Sequence, residues 1–322
     1  MRVFAAALVV AATVAPSFAQ SPSDYPNRPV TLLVPYAAGG VADVGMRIVG
    51  EKLSSRLKQQ FVIEDRPGAG GVVAAQAGAA AAPDGYTLLM TGNNNAIATA
   101  LFKSLPYNIL TDFASVSTAA FFDVLLVTRA GSPLQSVSDI IAAAKANPGK
   151  LNIGTINPGS TQNLAAELFI STAGIAAAIV PFRASPDMAG AVMRGDVDIA
   201  FDFYAAIDGL LADKKLRALA SAGLKRTAYL PDVPTVIESG IADYEVTSWN
   251  GIAAPAGTPA GVIATLNQAM KDVIPADDVQ KKASQMGMAM WASTPEAMTA
   301  RMKADIAKWG AVIDKAGIPK RD

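Results

Sequence analysis

Short apolar runs alternate with helix-spaced apolar positions along most of this chain, and glycine or proline turns separate them. The clearest case opens VTLLVPYAAGGVADVGMR. Val30 to Val34 predicts a strand of the kind buried on both faces of a parallel sheet. Pro35 to Gly40 predicts a tight turn. Val44 and Ile48, then Val49, Leu53 and Leu57, fall four apart and predict a helix from about Val41. Phe61 to Glu64 predicts a second strand, Val72 to Ala82 a helix stopped by Pro83-Asp84-Gly85, and Tyr86 to Met90 a third strand. That strand runs into Thr91-Gly92-Asn93-Asn94-Asn95, which reads as a loop of amides. The β-α-β-α-β order predicts a parallel sheet with right-handed crossovers.

The pattern then repeats. Phe121 to Arg129 reads as a strand, Ser138 to Asn147 as a helix and Leu151 to Thr155 as a strand. The turn Ile156-Asn157-Pro158-Gly159-Ser160 leads into a helix from Thr161. Strands at Ala178 to Phe182, Val197 to Phe201 and Leu216 to Ala220, with a helix at Pro186 to Arg194, complete a second α/β unit over roughly Val124 to Glu245. Tyr244 to Ala253 reads as extended. Helices follow at Ala260 to Val273, Asp277 to Met286 and Pro295 to Ala316, the last started by Thr294 as cap and Pro295 at the first helical position. Two separate sheets are expected, with chain crossings near Ala120 to Val124 and Glu245 to Gly251. Helices 260–273 and 295–316 are expected on the first unit.

The two strand–turn–helix junctions carry the candidate chemistry. A helix start presents unpaired N–H groups and the positive end of the helix dipole. Gly39 and Gly40 bring no side chain to block an anion there. The turn at Asn157 to Thr161 repeats the arrangement, so two anion sites could face each other across a cleft. A carboxylate suits each, because it accepts several charge-assisted bonds; plain tight turns are the alternative. Asp43 reads either as favourable charge in the first helical turn or as a ligand contact. Asp202 follows the strand 197–201, where open α/β sheets bind ligands, or is a solvated loop carboxylate. Asn93 reads as a ligand contact or as turn chemistry.

Composition narrows the chemistry. The 322 residues are 51% hydrophobic and 17% charged, with Lys+Arg and Asp+Glu equal at 27 each. That balance fits a large buried core and gives no basic footprint for nucleic acid. The chain has neither His nor Cys, which removes Ser-His-Asp and Cys-His catalysis, the usual zinc sites and disulfides. No remaining residue set pairs a nucleophile with a base, so no enzyme is expected. Gly68-Ala69-Gly70-Gly71-Val72-Val73 misses the dinucleotide fingerprint at Val73, and no Gly-Lys-Ser/Thr follows Ala37 to Asp43, so no nucleotide cofactor is expected. Arg2, the apolar run Val3 to Ala15 and Ser17-Phe18-Ala19 read as a signal peptide cleaved near Ala19, and hence as export.

Taken together and in order, many stretches resemble the Bug family, the periplasmic solute-binding receptors of tripartite tricarboxylate transporters. They include Tyr25-Pro26-Asn27-Arg28-Pro29, Val34-Pro35-Tyr36-Ala37-Ala38-Gly39-Gly40 with Asp43, Arg66-Pro67-Gly68-Ala69-Gly70-Gly71, Pro83-Asp84-Gly85-Tyr86, Gly195-Asp196-Val197-Asp198 and Ala254-Pro255-Ala256-Gly257-Thr258-Pro259. The resemblance implies a two-domain α/β periplasmic binding protein of the type II class with its ligand cleft between domains. Residues 20–123 and 246–322 would form one domain and 124–245 the other. It implies a small carboxylated ligand (a di- or tricarboxylate, an acidic amino acid or an aromatic acid), membrane permease subunits as partners, a monomer, and no metal or other cofactor. The same receptor working as a sensor for a membrane signalling partner is the alternative. The loop matching Tyr36, Ala37, Ala38, Gly39, Gly40 and Asp43 and the loop matching Thr155, Asn157, Gly159, Ser160 and Thr161 would hold the ligand. Thr91, Asn93, Arg183 and Asp202 are the further candidates. Asn163 stands where His is common, and Phe182-Arg183-Ala184 replaces the usual Tyr-Lys/Arg-Gly.

Overall fold

The computed structural model describes residues 25–36 and 38–322, so the leader and Ala37 lie outside the described residues. The first elements are β1 (Val30–Val34), α1 (Val41–Leu57), β2 (Phe61–Asp65), α2 (Val72–Ala79), β3 (Thr87–Gly92), α3 (Asn93–Leu101) and β4 (Phe113–Arg129). The middle stretch holds α4 (Val137–Ala146), β5 (Leu151–Ile156), α5 (Thr161–Ala173), β6 (Ala177–Phe182), α6 (Ser185–Arg194), β7 (Ile199–Phe203), α7 (Tyr204–Ala212) and β8 (Leu216–Ser221). The chain returns through β9 (Thr247–Pro255), α8 (Ala260–Val273), α9 (Asp277–Gln285), β10 (Ala289–Met290) and α10 (Pro295–Ala316).

The sheet runs β2-β1-β3-β9-β4-β7-β5-β6, with β8 and β10 also on β4. This corrects the expectation of two separate sheets. The join is β4, a 17-residue strand. Phe113 to Asp123 pairs with β9, and Val124 to Arg129 pairs with β7 and β8. The amino-terminal strand group (β2, β1, β3, β9) and the middle group (β7, β5, β6, β8) therefore share one strand and hang on either half of it.

The amino-terminal half of β4 escaped the sequence pattern because Ser115, Ser117 and Thr118 interrupt its apolar positions. The structure absorbs two of these hydroxyls against the segment before α10. Ser117 Oγ accepts from the Ser293 N–H at 2.9 Å, and Thr118 Oγ1 donates to the Trp291 carbonyl at 3.1 Å. Helix α8 packs on α1 and β4. Helix α10 packs mainly on α3 and β4, and also reaches α5 of the middle group. Met298, Met302, Trp309 and Ile313 of its apolar stripe are buried in one core with Phe121, Leu126, Leu164 and Phe169.

Two helices were not expected. Asn93 to Asn95 do not form a loop; they are the first turn of α3. Asn95 turns its Oδ1 back to accept from the Gly92 N–H at 3.2 Å and from Thr91 Oγ1 at 3.0 Å. Short amides favour helix starts for this reason. Gly92 itself is required by close approach: a Cβ there would collide with the Trp249 carbonyl oxygen. Helix α7 follows β7 directly and buries Ile207.

Candidate functional site

Both proposed loops are built alike from their glycines. Gly39 and Gly159 have φ of +84° and +78°, the left-handed region that glycine enters without strain. The next residue, Gly40 or Ser160, is extended and starts the helix. The Gly39 N–H donates to Asp43 Oδ2 at 2.7 Å, and the Gly159 N–H donates to Asn163 Oδ1 at 2.8 Å. Each turn is thus closed from inside by the side chain four residues on.

The two helix starts differ in their caps and charge. No side-chain oxygen caps α1 at Gly40, whereas Ser160 Oγ accepts from the Asn163 N–H at 3.1 Å. Ser160 is therefore committed to its own helix. Asp43 is 1% exposed, and Arg47 reaches its Oδ1 at 2.7 Å and Asp65 Oδ2 at 2.7 Å. Burial disfavours the Asp43 charge, but the Arg47 guanidinium and the Gly39 N–H outweigh it and hold this carboxyl below its ordinary range. Burial, then the Asp43 charge, push the Asp65 carboxyl up. The first loop is backed by an acid–arginine–acid chain and the second by a neutral amide.

The first turn of α3 is bonded to the second loop and packs beside the turn after β2. A Cβ on Gly71 would touch the Asn94 side chain and stand 3.3 Å from Pro35, so the turn after β2 lies between α3 and the turn after β1. One residue earlier, Asn93 Nδ2 donates to Thr161 Oγ1 of the second loop at 2.9 Å. Asn93 Oδ1 accepts from Trp309 Nε1 at 2.6 Å. Asn93 thereby ties the start of α5 to α10. The structure gives it a bridging role that neither reading from sequence contained.

The remaining candidates divide by exposure. Tyr36, Ala38, Gly39, Gly40, Asn157 and Arg183 are exposed at the surface. Arg183 has no ion pair among the described residues. Thr91 is buried and bonded to Asn95. Thr155 is wholly buried at the end of β5, and its hydroxyl has no hydrogen-bond partner. Asp202 corrects its expected place: it lies inside β7, fully buried, because β7 runs to Phe203. Its Oδ1 accepts from Gln162 Nε2 at 3.2 Å and from the Phe203 N–H at 2.9 Å, with the Ser185 hydroxyl beside it. Burial raises its pKa against those donors.

Three more polar residues belong to this region. Gln162 ties the first turn of α5 to Asp202. Asn94 Oδ1 and Asn250 Nδ2 are buried without partners, and Asn250 pairs with Gly92 in the sheet. The signal for Asn250 was available as one amide inside the apolar run Trp249 to Ala253. Helix N–H groups, unpartnered amide and hydroxyl groups and one free guanidinium make a region that can hold a small anion. Among the described residues no group of His, Cys, Asp and Glu is placed to hold a metal.

Comparison with known proteins agrees with this chemistry. The family model described as tripartite tricarboxylate transporter family receptor matches residues 46–318. Protein BugT of Bordetella pertussis is 31% identical over 303 residues, covering 92% of each chain. The solved structure of R. palustris Rpa4515 with adipate is 33% identical with a TM-score of 0.79, covering 92% of this chain and 99% of that one. MatC (Rpa3494) from Rhodopseudomonas palustris with bound malate is 30% identical with a TM-score of 0.74, covering 90% of this chain and all (100%) of that one. The matched family is one of solute-binding receptors, not of enzymes. The chain belongs to the tripartite tricarboxylate transporter receptor family.

Proposed function

We propose that this protein is an exported receptor that captures a small organic acid with a carboxylate at each end and delivers it to a membrane permease. The observation that carries the reading is the matched pair of loops, Gly39-Gly40 and Gly159-Ser160, each with a left-handed glycine followed by an extended residue that opens a helix. One carboxylate would lie at the start of α1 and the other at the start of α5, held mostly by backbone N–H groups. Thr155, Arg183 and Asp202, with Asn250, would read the rest of the ligand. Residues up to Asp123 and from Val246 onward would move as one domain against 124–245, closing by rotation about β4 and β9.

The relatives that hold adipate and malate support a dicarboxylate as the first class to try. Thermal unfolding with adipate, malate, succinate, citrate, glutamate and benzoate tests the proposal. A ligand at 100 times its Kd stabilises the fold by about 2.7 kcal/mol. At least one diacid is expected to raise the unfolding temperature in a saturable way, while its diamide does not. A shift given equally by diacid and diamide would contradict an anion clamp.

A further inference from the structure

A second cavity lies away from the loops, where the segment after β8 meets the segment from α9 to α10. It encloses about 520 Å³ beside the β4–β9 pairing and shares no residue with the loop region. That size suits one small organic ligand. Its walls come from both strand groups: Lys225 to Tyr229 from the middle group, and Met288, Trp291 and Arg301 from the other.

We propose that this cavity is a second binding site, and that it takes an aromatic monocarboxylate. One wall is a stacked pair, Phe121 on Trp291, with ring centroids 3.3 Å apart and planes 5° from parallel. Trp291 is 48% exposed, so its surface is available to another flat ring. The Arg301 guanidinium lies 5.4 Å from the centre of the Phe121 ring. Its Nε is buried without a hydrogen bond, 3.6 Å from Asp305, and its ion pair with Glu245 is stretched to 3.9 Å. Lys225 is exposed and has no ion pair among the described residues. The buried hydroxyls of Thr227 and Tyr229 also lack hydrogen bonds of ordinary geometry.

The charges in the wall select for one carboxylate. Glu245 is already held by Lys308 at 2.7 Å, and Asp123 by Thr247 Oγ1 at 2.8 Å. Arg301 spends one guanidinium N–H on the Thr247 carbonyl at 3.3 Å and has only the two long ion pairs besides, and Lys225 has none among the described residues, so the unmet demand is for an anion. A second carboxylate on the same ligand would meet Asp123 and Glu245 and be repelled. An aromatic ring against Trp291 with a single carboxylate toward Arg301 satisfies every wall. This site does not depend on the clamp.

Benzoate is the probe, and the tryptophans report its place. Trp249 and Trp309 are 0% and 1% exposed, so acrylamide should quench Trp291 alone. Benzoate is expected to protect Trp291 from quenching in a saturable way. Isothermal titration should show its affinity falling at least about tenfold in Arg301→Gln and in the surface variant Lys225→Gln, the loss of one charge-assisted contact each. Arg183→Gln, in the loop region, should leave it unchanged. Benzoate binding that gives no protection of Trp291, or that is lost in Arg183→Gln and kept in Lys225→Gln, would overturn the proposal, as would absence of benzoate binding to the unaltered protein.

Discussion

Gly39 and Gly159 occupy the same conformation, φ +84° and +78°, and each donates its N–H to the side chain four residues ahead. The acceptor is the carboxylate of Asp43 in one loop and the amide of Asn163 in the other. The backbone geometry repeats while the charge behind it does not. Arg47 offsets the Asp43 charge, and Asp65 in turn takes up part of Arg47. An anion should therefore find the second loop the more favourable of the two.

Asp43 separates shape from charge. Asp43→Asn keeps an acceptor for the Gly39 N–H and removes a negative charge from the first helical turn. A diacid should bind severalfold more tightly, on the order of 1 kcal/mol for an ion pair term across a partly screened site. Asp43→Ala removes the acceptor as well and should destabilise the fold by about 1–3 kcal/mol. Titration calorimetry and urea unfolding of both variants check this. Equal losses of affinity in the two would mean that Asp43 touches the ligand.

The loop glycines should not be equally tolerant. A Cβ on Gly39 meets nothing within 4 Å, so Gly39→Ala should cost only the left-handed backbone, ~1–2 kcal/mol. A Cβ on Gly159 would stand 2.5 Å from Leu101 Cδ2, so Gly159→Ala should cost more. Ser160→Ala removes the cap of α5 and a 3.2 Å bond to the Ile156 carbonyl, about 1–2 kcal/mol. Chemical denaturation ranks the three; Gly39→Ala as the worst would refute the described surroundings of that turn.

Asn93 should matter more to the structure than its place in a polar helix start suggests. Asn93→Ala strands Trp309 Nε1 in a buried site and cuts the bond to Thr161, a loss of about 1–3 kcal/mol. Thr161→Val removes the second bond alone and should cost about 0.5–1.5 kcal/mol. In the double variant the losses should not add, because the two changes share one bond. Strict additivity in urea unfolding would show that Asn93 and Thr161 do not interact in solution.

Asp123 gives a pH dependence of known sign. Burial pushes its pKa up to about 6, against the Thr247 hydrogen bond. A carboxyl that holds its proton more tightly when folded favours the fold below about pH 4, and that contribution is lost as pH rises through 6. Asp123→Asn retains the acceptor for Thr247 and cannot ionise. It should stabilise the protein at pH 8 by up to about 3 kcal/mol, and much less at pH 4. Unfolding free energies at the two pH values test this; a gain that is the same at both would remove Asp123 as the titrating group.

The parallel strand–helix units were legible because their signals are local. Val30–Val34, Val41–Leu57 and Pro295–Ala316 fall where apolar spacing and turn residues place them. The family was legible too, since its motifs recur in order along the chain. What escaped depended on distant partners. The serines and threonine of β4 look unlike a buried strand until Trp291 and Ser293 lie beside them. The asparagines after β3 resemble a loop until Asn95 is seen capping Gly92 and Asn93 bonded between Trp309 and Thr161. In the loop region, backbone N–H groups leave no mark in side-chain identity, while Asn250 did leave one, as the single amide inside an apolar run.

The most direct measurement of the double clamp is titration calorimetry of a matched pair, the best-binding diacid and its monoamide. Each hydrogen bond to a charged group contributes roughly 1.5–3 kcal/mol. With both loops holding a carboxylate, neutralising one end should weaken binding by roughly 10- to 150-fold. Equal affinity for the diacid and the monoamide would mean that only one loop holds an anion, and would contradict the double clamp.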